Sequence, residues 1–223
     1  MIGIIDSGIG GKGIEKEIKK LLPNVKIIYF ADRKNFPYGT KRTSKLHQIL
    51  ANNINTMIKK GVNIIVLACN SATVSSVQYL RKKFNIPIIG VEPAIKPAVK
   101  ITKTNNIAIF STPITANSKT EQDLIKQFCK GIKVYNIAFP NLAGLIERGD
   151  NRTATSKVSV VWRKYKDKNI DVIVLGCTHY TLIKKDIQKI VGKNIKIIDS
   201  NKAVAKQVKK VYDEIKEAKY ARK

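Results

Sequence analysis

Acidic residues are scarce in this sequence. Sixteen Asp and Glu stand against 42 Lys and Arg, a formal net charge of +26 over 223 residues. There are only two histidines and three cysteines. Two histidines with no Cys-x-x-Cys pair offer no ligand spacing for zinc, so no metal is expected. An odd cysteine count, with two cysteines in short apolar-flanked motifs, argues against a disulfide scaffold and for reduced, reactive thiols. No apolar run approaches the roughly 18–20 residues that cross a bilayer. The opening Met1-Ile2-Gly3-Ile4-Ile5-Asp6 lacks the basic and long apolar regions of a secretory signal and reads as a first strand. A cytoplasmic protein without membrane association is therefore expected. The shortage of acids could mark a nucleic-acid binder. The lysines are scattered along the whole chain, however, and not gathered in one arm. That favours a solvated lysine-rich surface, and nucleic acid is not an expected partner.

Short runs rich in Ile and Val alternate with amphipathic stretches. Strands are predicted at residues 2–5, 26–30, 63–68, 86–90, 107–110, 133–137, 171–175 and 195–198. Helices are predicted at 46–60, 118–130 and 202–219 among others. Continuous apolar strands between helices indicate parallel sheets covered on both faces, an α/β fold. The sequence also repeats. Ile64-Ile65-Val66-Leu67-Ala68-Cys69-Asn70 aligns with Val172-Ile173-Val174-Leu175-Gly176-Cys177-Thr178. Three further segment pairs follow in the same order at nearly the same offset, including 2–8 with 107–113. The expected architecture is two pseudo-symmetric parallel-sheet α/β domains with an active site in the cleft between them. The first would span 1–95 and the second 96–202, with a helix at 203–223 packing back on the first. The crossover is placed at 91–100, which carries Pro93 and Pro97.

Ligands of open α/β sheets sit beyond the carboxyl ends of the strands. The residues that follow the strands here are Asp6-Ser7-Gly8-Ile9-Gly10-Gly11, then Asp32 and Phe36-Pro37-Tyr38-Gly39, then Cys69-Asn70-Ser71-Ala72-Thr73. In the second half they are Ser111-Thr112-Pro113, Glu147 and Cys177-Thr178-His179-Tyr180. Two cysteines approaching one carbon from opposite sides suit racemisation. One face loses the α-hydrogen to a thiolate while a thiol protonates the other, and the roles swap with direction. Each cysteine is expected just before a helix, whose N-terminus tunes a thiol toward working pH. Ser7, Asn70, Ser71 and Thr178 could hold carboxylates and stabilise a developing carbanion. The glycine loop at 8–11 lacks both the P-loop ending and the dinucleotide spacing, and it reads as a tight strand-to-helix turn.

Asp6-Ser7-Gly8-Ile9-Gly10-Gly11, Pro37-Tyr38-Gly39-Thr40, Ala68-Cys69-Asn70-Ser71-Ala72-Thr73 and Leu175-Gly176-Cys177-Thr178-His179-Tyr180 together resemble the motifs of the glutamate racemases. The resemblance runs in order over nearly the whole chain. It implies interconversion of L- and D-glutamate without pyridoxal phosphate, other cofactor or metal, supplying D-glutamate for peptidoglycan in a bacterial cytoplasm. By the same resemblance Cys69 and Cys177 are the catalytic acid/bases. Asp6 assists the first; Glu147 and His179 assist the second. Asp6, Ser7, Pro37, Tyr38, Gly39, Asn70, Ser71, Thr178 and His179 bind substrate, Asp32 is a further pocket position, and the assembly is a homodimer. Ser71 stands where the family commonly has Thr, Phe139 where Cys is frequent, and Thr181 where Pro follows His-Tyr. None of these changes removes a proposed proton carrier.

Blander readings apply elsewhere. Cys129 reads as a core-facing helix residue and His47 as a surface histidine. Two other functions remain open at this stage. One is racemisation of aspartate or another acidic compound; the other is binding of acidic amino acids without catalysis.

Overall fold

The structure, a computed structural model, describes residues 1–220. It divides into two compact units. One comprises Met1–Val91 with the chain from Asn201 onward; the other is Glu92–Ser200. The chain leaves the first unit at Val91, four residues before the boundary expected from sequence. It re-enters at Asn201, where the last helix begins.

The first unit runs β1 (Ile2–Asp6), α1 (Lys12–Leu21), β2 (Ile27–Ala31), α2 (Thr43–Lys59), β3 (Ile64–Leu67), α3 (Asn70–Lys83) and β4 (Ile88–Gly90). The second runs α4 (Ile95–Ile101), β5 (Asn106–Ser111), α5 (Pro113–Ala116), α6 (Lys119–Phe128), β6 (Lys133–Ala138), α7 (Leu142–Glu147), α8 (Asn151–Trp162), β7 (Val172–Gly176), α9 (Lys184–Val191) and β8 (Lys196–Ile198). Helix α10 (Asn201–Tyr220) returns to the first unit and packs on α1. All eight predicted strands form, with ends shifted by one or two residues. Positions 221–223 of the expected C-terminal helix lie outside the described residues.

Each unit holds one four-stranded parallel sheet, in the orders β2-β1-β3-β4 and β6-β5-β7-β8. The registers correspond: Ile2 pairs with Ile27 and Ile64 in one sheet, and Ile107 pairs with Val134 and Val172 in the other. Alternation along the strands sorts side chains to two faces. In the first sheet Ile5, Ile65 and Leu67 pack under α2 and α3. Ile2, Ile4, Ile64 and Val66 pack under α1 and α10. In the second, Phe110, Ile173 and Leu175 join Trp162 and Ile187 on one side, while Ile107, Ile109 and Val174 meet Ile95 and Leu124 on the other. With both faces covered, the strands read as continuous Ile/Val runs.

Local signals fix the ends of the helices. Ser118 caps α6 by accepting from the Glu121 N–H, and Asp150 caps α8 by accepting from the Thr153 N–H. Gly61 follows α2 and Gly192 follows α9, both with positive φ, where a side chain would be strained. Cys129 is buried directly after α6 among apolar side chains, and burial pushes its thiol up. No described helix is long and apolar enough to cross a membrane.

Candidate active site

In the order β2-β1-β3-β4 the connections diverge between β1 and β3, and ligands of such sheets bind at that crevice. Asp6 ends β1, and Cys69 is the N-cap of α3, two residues past β3. Both are buried, Asp6 fully. The Asp6 Oδ1 accepts a hydrogen bond from the Gly8 N–H at 2.7 Å, which folds the loop back over the strand end. Gly11 has an ordinary φ of −70°. It must be glycine for space, because a Cβ there would lie 2.7 Å from Cβ of Ala68 and 3.3 Å from Cβ of Asp6. Close packing is therefore the requirement at this position, and unusual backbone freedom is not.

Beyond β2 the chain makes two short 3-10 turns, Arg33–Asn35 and Tyr38–Thr40, around a cis Phe36–Pro37 peptide. They place Tyr38, fully buried, with its hydroxyl donating to Asp32 Oδ2 at 2.8 Å. Asp32 also accepts from the Asn35 amide and, at 3.0 Å, from Asn53 Nδ2 on α2. Burial first, then the negative charge and hydrogen bond of Asp32, and then Cys69 and Asp6 push the Tyr38 hydroxyl far above its usual range. Tyr38 therefore stays a neutral donor in the neighbourhood of Cys69 and Asp6. Asp32 is an anchor for that ring, and Asn53 completes it. Asn53 was missed from sequence, since a polar helix residue 21 positions away carries no local mark.

Asn70 and Ser71 open α3 and are buried. Asn70 Nδ2 is buried with no protein partner. The first helical hydrogen bond runs from Thr73 N to Cys69 O at 2.9 Å, so α3 begins at the cysteine itself, with the positive end of the helix beside it.

The second unit repeats the layout. The crevice falls between β5 and β7, with Ser111 at one lip and Cys177 just past the other. Here the expected helix start gives way to a 3-10 turn, Thr178–Ile183, before α9 begins. Thr181 Oγ1 donates to the Thr178 carbonyl at 2.7 Å, and the Tyr180 N–H reaches Cys177 O at 3.1 Å, which tightens the turn. Cys177, Thr178 and His179 are all buried. His179 Nε2 lies 2.8 Å from Glu147 Oε2 at the end of α7. Facing a carboxylate, Nε2 is the protonated nitrogen, and the ring is held in one orientation. Tyr180 is fully buried, and its hydroxyl is within 3.3 Å of the carbonyls of Ser111 and Phe139, tying together the ends of β5 and β6. Burial and the adjacent Cys177 raise its hydroxyl well above the usual value, so it too stays neutral.

The structure thus gathers Cys69, Asp6, Ser7, Tyr38, Asn70 and Ser71 around the crevice of the first unit, with Asp32 behind Tyr38. It gathers Cys177, Thr178, His179 and Glu147 at the crevice of the second. Pro37 and Gly39 flank Tyr38, half-buried. His47 is also half-buried, donating to the Ser75 carbonyl at 2.9 Å and stacking on Tyr79. The three cysteines are free thiols.

The comparisons agree with one another. The family described as Asp/Glu/Hydantoin racemase matches residues 12–208. A glutamate racemase of Clostridium botulinum is 36% identical over 216 residues, covering 96% of this chain and 84% of that protein. Among solved structures, Escherichia coli glutamate racemase in complex with L-glutamate and an activator superposes with a TM-score of 0.89 at 27% identity, covering 95% of this chain and 82% of that one. Glutamate racemase of Francisella tularensis in complex with D-glutamate gives 0.81 at 32% identity, covering 96% and 81%.

Proposed function

The chain belongs to the Asp/Glu/Hydantoin racemase family and is an amino-acid racemase; from that premise we propose that it interconverts L- and D-glutamate by two-base proton transfer between Cys69 and Cys177. The observation that carries this reading is the duplicated strand end. Each sheet presents one buried free cysteine immediately past the central strand β3 or β7, at its crevice. The scheme requires both thiols to reach one α-carbon from opposite sides, one as thiolate and one as thiol.

The surrounding groups suit that role. The N–H groups that open α3, with Ser7, Asn70 and Ser71, provide donors for substrate carboxylates. The unpartnered Asn70 amide fits a carboxylate oxygen well, since a buried donor without an acceptor is costly. The neutral Tyr38 hydroxyl and the Asp6 carboxyl border Cys69. The His179–Glu147 pair borders Cys177, where an oriented imidazole can exchange a proton with the thiol. Thr178 offers a further hydroxyl beside Cys177. The scheme assigns no step to a cofactor or metal. Use of the product in peptidoglycan synthesis, a cytoplasmic setting and a homodimer complete the proposal, on the strength of family resemblance.

The test is incubation of the purified protein with L-glutamate in heavy water. D-glutamate is expected to appear together with deuterium at the α-carbon. Exchange with L-aspartate but not with L-glutamate would move the assignment to another acidic substrate. Glutamate binding without exchange would replace catalysis with a binding role.

A further inference from the structure

Charge that is scattered along the sequence is sorted in space. Between Asp32 and Glu92 the chain contains no Asp or Glu. That stretch supplies both α2 and α3, the helices on one face of the first sheet. The remaining acids of this unit, apart from Asp6 and Asp32 at the strand ends, lie on α1 and α10 on the opposite face. There several lysines are matched, Lys12 and Lys19 to Glu15, Lys20 to Glu17, Lys209 to Asp213 and Lys210 to Glu214, while Lys16, Lys202 and Lys206 stay exposed beside these acids. On the α2–α3 face, Lys45, Lys59, Lys60, Lys82 and Lys83 are exposed and form no ion pair among the described residues. The helix dipole favours cations in the last turn of α3, but it does not account for the absence of every acid from two helices.

The same face carries an aromatic platform. Tyr79, 38% exposed, stacks on His47 with ring centroids 4.2 Å apart and an interplanar angle of 5°. The Lys83 ammonium sits 5.7 Å from the Tyr79 ring centroid. On α2 the exposed side chains include Lys45, Gln48, Asn52, Asn55 and Lys59, cationic or amide donors, and one large apolar side chain, Ile58. A bilayer would call for more than the single exposed Ile58 at these positions, and a second copy of the same face would repel it. A polyanion with flat rings meets both features at once. We propose that the α2–α3 face binds single-stranded nucleic acid, with bases stacking at Tyr79 and phosphates running along the unpaired lysines. This surface is independent of the racemase assignment.

The test is fluorescence anisotropy of a labelled 20-nucleotide oligodeoxythymidylate titrated with the whole protein at several KCl concentrations. Wild type is expected to bind, with affinity falling steeply as salt rises. The K45E/K83E variant should weaken binding by about tenfold or more and flatten the salt dependence. Tyr79→Leu should weaken it about fivefold or more with the salt dependence unchanged. K16E/K206E changes net charge by the same amount on the α1–α10 face and should stay within about twofold of wild type. Circular dichroism and thermal melting establish that each variant is folded. Equal loss in the two double variants would reduce the effect to net charge and overturn the proposal. Absence of oligonucleotide binding at 50 mM KCl, or binding to phosphatidylglycerol vesicles in its place, would overturn it as well.

Discussion

Glu121 carries a prediction that separates burial from charge. It is fully buried in the first turn of α6, where Oε1 accepts from Asn136 Nδ2 at 2.7 Å and Oε2 has no partner. Burial, opposed only in part by the Asn136 hydrogen bond, raises the carboxyl from 4.5 to about 7. In the unfolded chain this group loses its proton near 4.5, whereas the folded protein holds it to about 7. Between those values the unfolded state binds fewer protons, so stability falls as pH rises and levels off above about 7. The full loss from this residue is about 3 kcal/mol. Glu121→Gln keeps the shape and the acceptor for Asn136 but carries no charge, so it escapes the loss. Urea unfolding followed by fluorescence measures this cleanly. Trp162 is the sole tryptophan, 6% exposed, and packs against Phe110 in the same unit as Glu121. The stability gain of the variant over wild type should be under about 1 kcal/mol at pH 5 and grow to about 3 kcal/mol at pH 8. A variant no more stable than wild type at pH 8 would show that the carboxyl ionises without penalty, and the argument would fail.

Three further outcomes follow from the same geometry. Cys69→Ser and Cys177→Ser should each reduce racemisation by about 10²–10⁴-fold while leaving the protein folded; a near-normal turnover number in either would refute two-base transfer. Asp171 accepts from Thr102 Oγ1 at 2.6 Å and from the backbone of Lys103 and Thr104. Burial works to raise its carboxyl, but these hydrogen bonds outweigh it and hold the group below 3.8. Asp171→Ala should therefore cost about 1–3 kcal/mol at pH 7, with the difference shrinking as pH falls below about 4, read by the same urea titration. Gly11→Ala should lower the melting temperature and the turnover number together, because the new Cβ drives apart the strand ends that carry Asp6 and lead to Cys69; overpacking of this kind costs about 1–3 kcal/mol.

The strands were legible because parallel sheets covered on both faces need uninterrupted Ile and Val, and these runs are too short for helices and are bounded by turn residues. Both cysteines were legible for a related reason: a polar cluster directly after a buried strand has few structural duties. The turn after Cys177 was misjudged because helix and 3-10 starts share the same composition. The difference lies in the Thr181 hydroxyl, which occupies the Thr178 carbonyl. Asp32 was read as a pocket residue, yet its oxygens are engaged by Tyr38, Asn35 and Asn53. That triangle joins residues from a strand end, a turn and a helix, and no periodicity announces it. The sorting of charge between the faces of the first unit was equally hidden, since it follows from which helix packs on which side.

The repeat explains which parts of the site are alike and which are not. Strand-to-strand offsets between the halves stay nearly constant, so the cysteines occupy equivalent positions past β3 and β7. Their neighbours come in both cases from the chain beyond the outermost strand, and there the halves part. After β2 two short turns deliver Tyr38 on the Asp32 anchor. After β6 the helix α7 delivers Glu147 to His179. Sheet pairing binds the strands to a common register, and any change in one strand disturbs its partners. The segment after an edge strand has no strand register to keep, and it differs between the halves while still burying Tyr38 in one core and Phe139, Leu142 and Ile146 in the other. The proposed two-base racemisation makes matching use of that difference. Its two proton carriers swap roles when the direction reverses, while the two sides of a chiral substrate present different groups to them. Like thiols on like strand ends, among unlike loops, suit such a reaction in a duplicated fold.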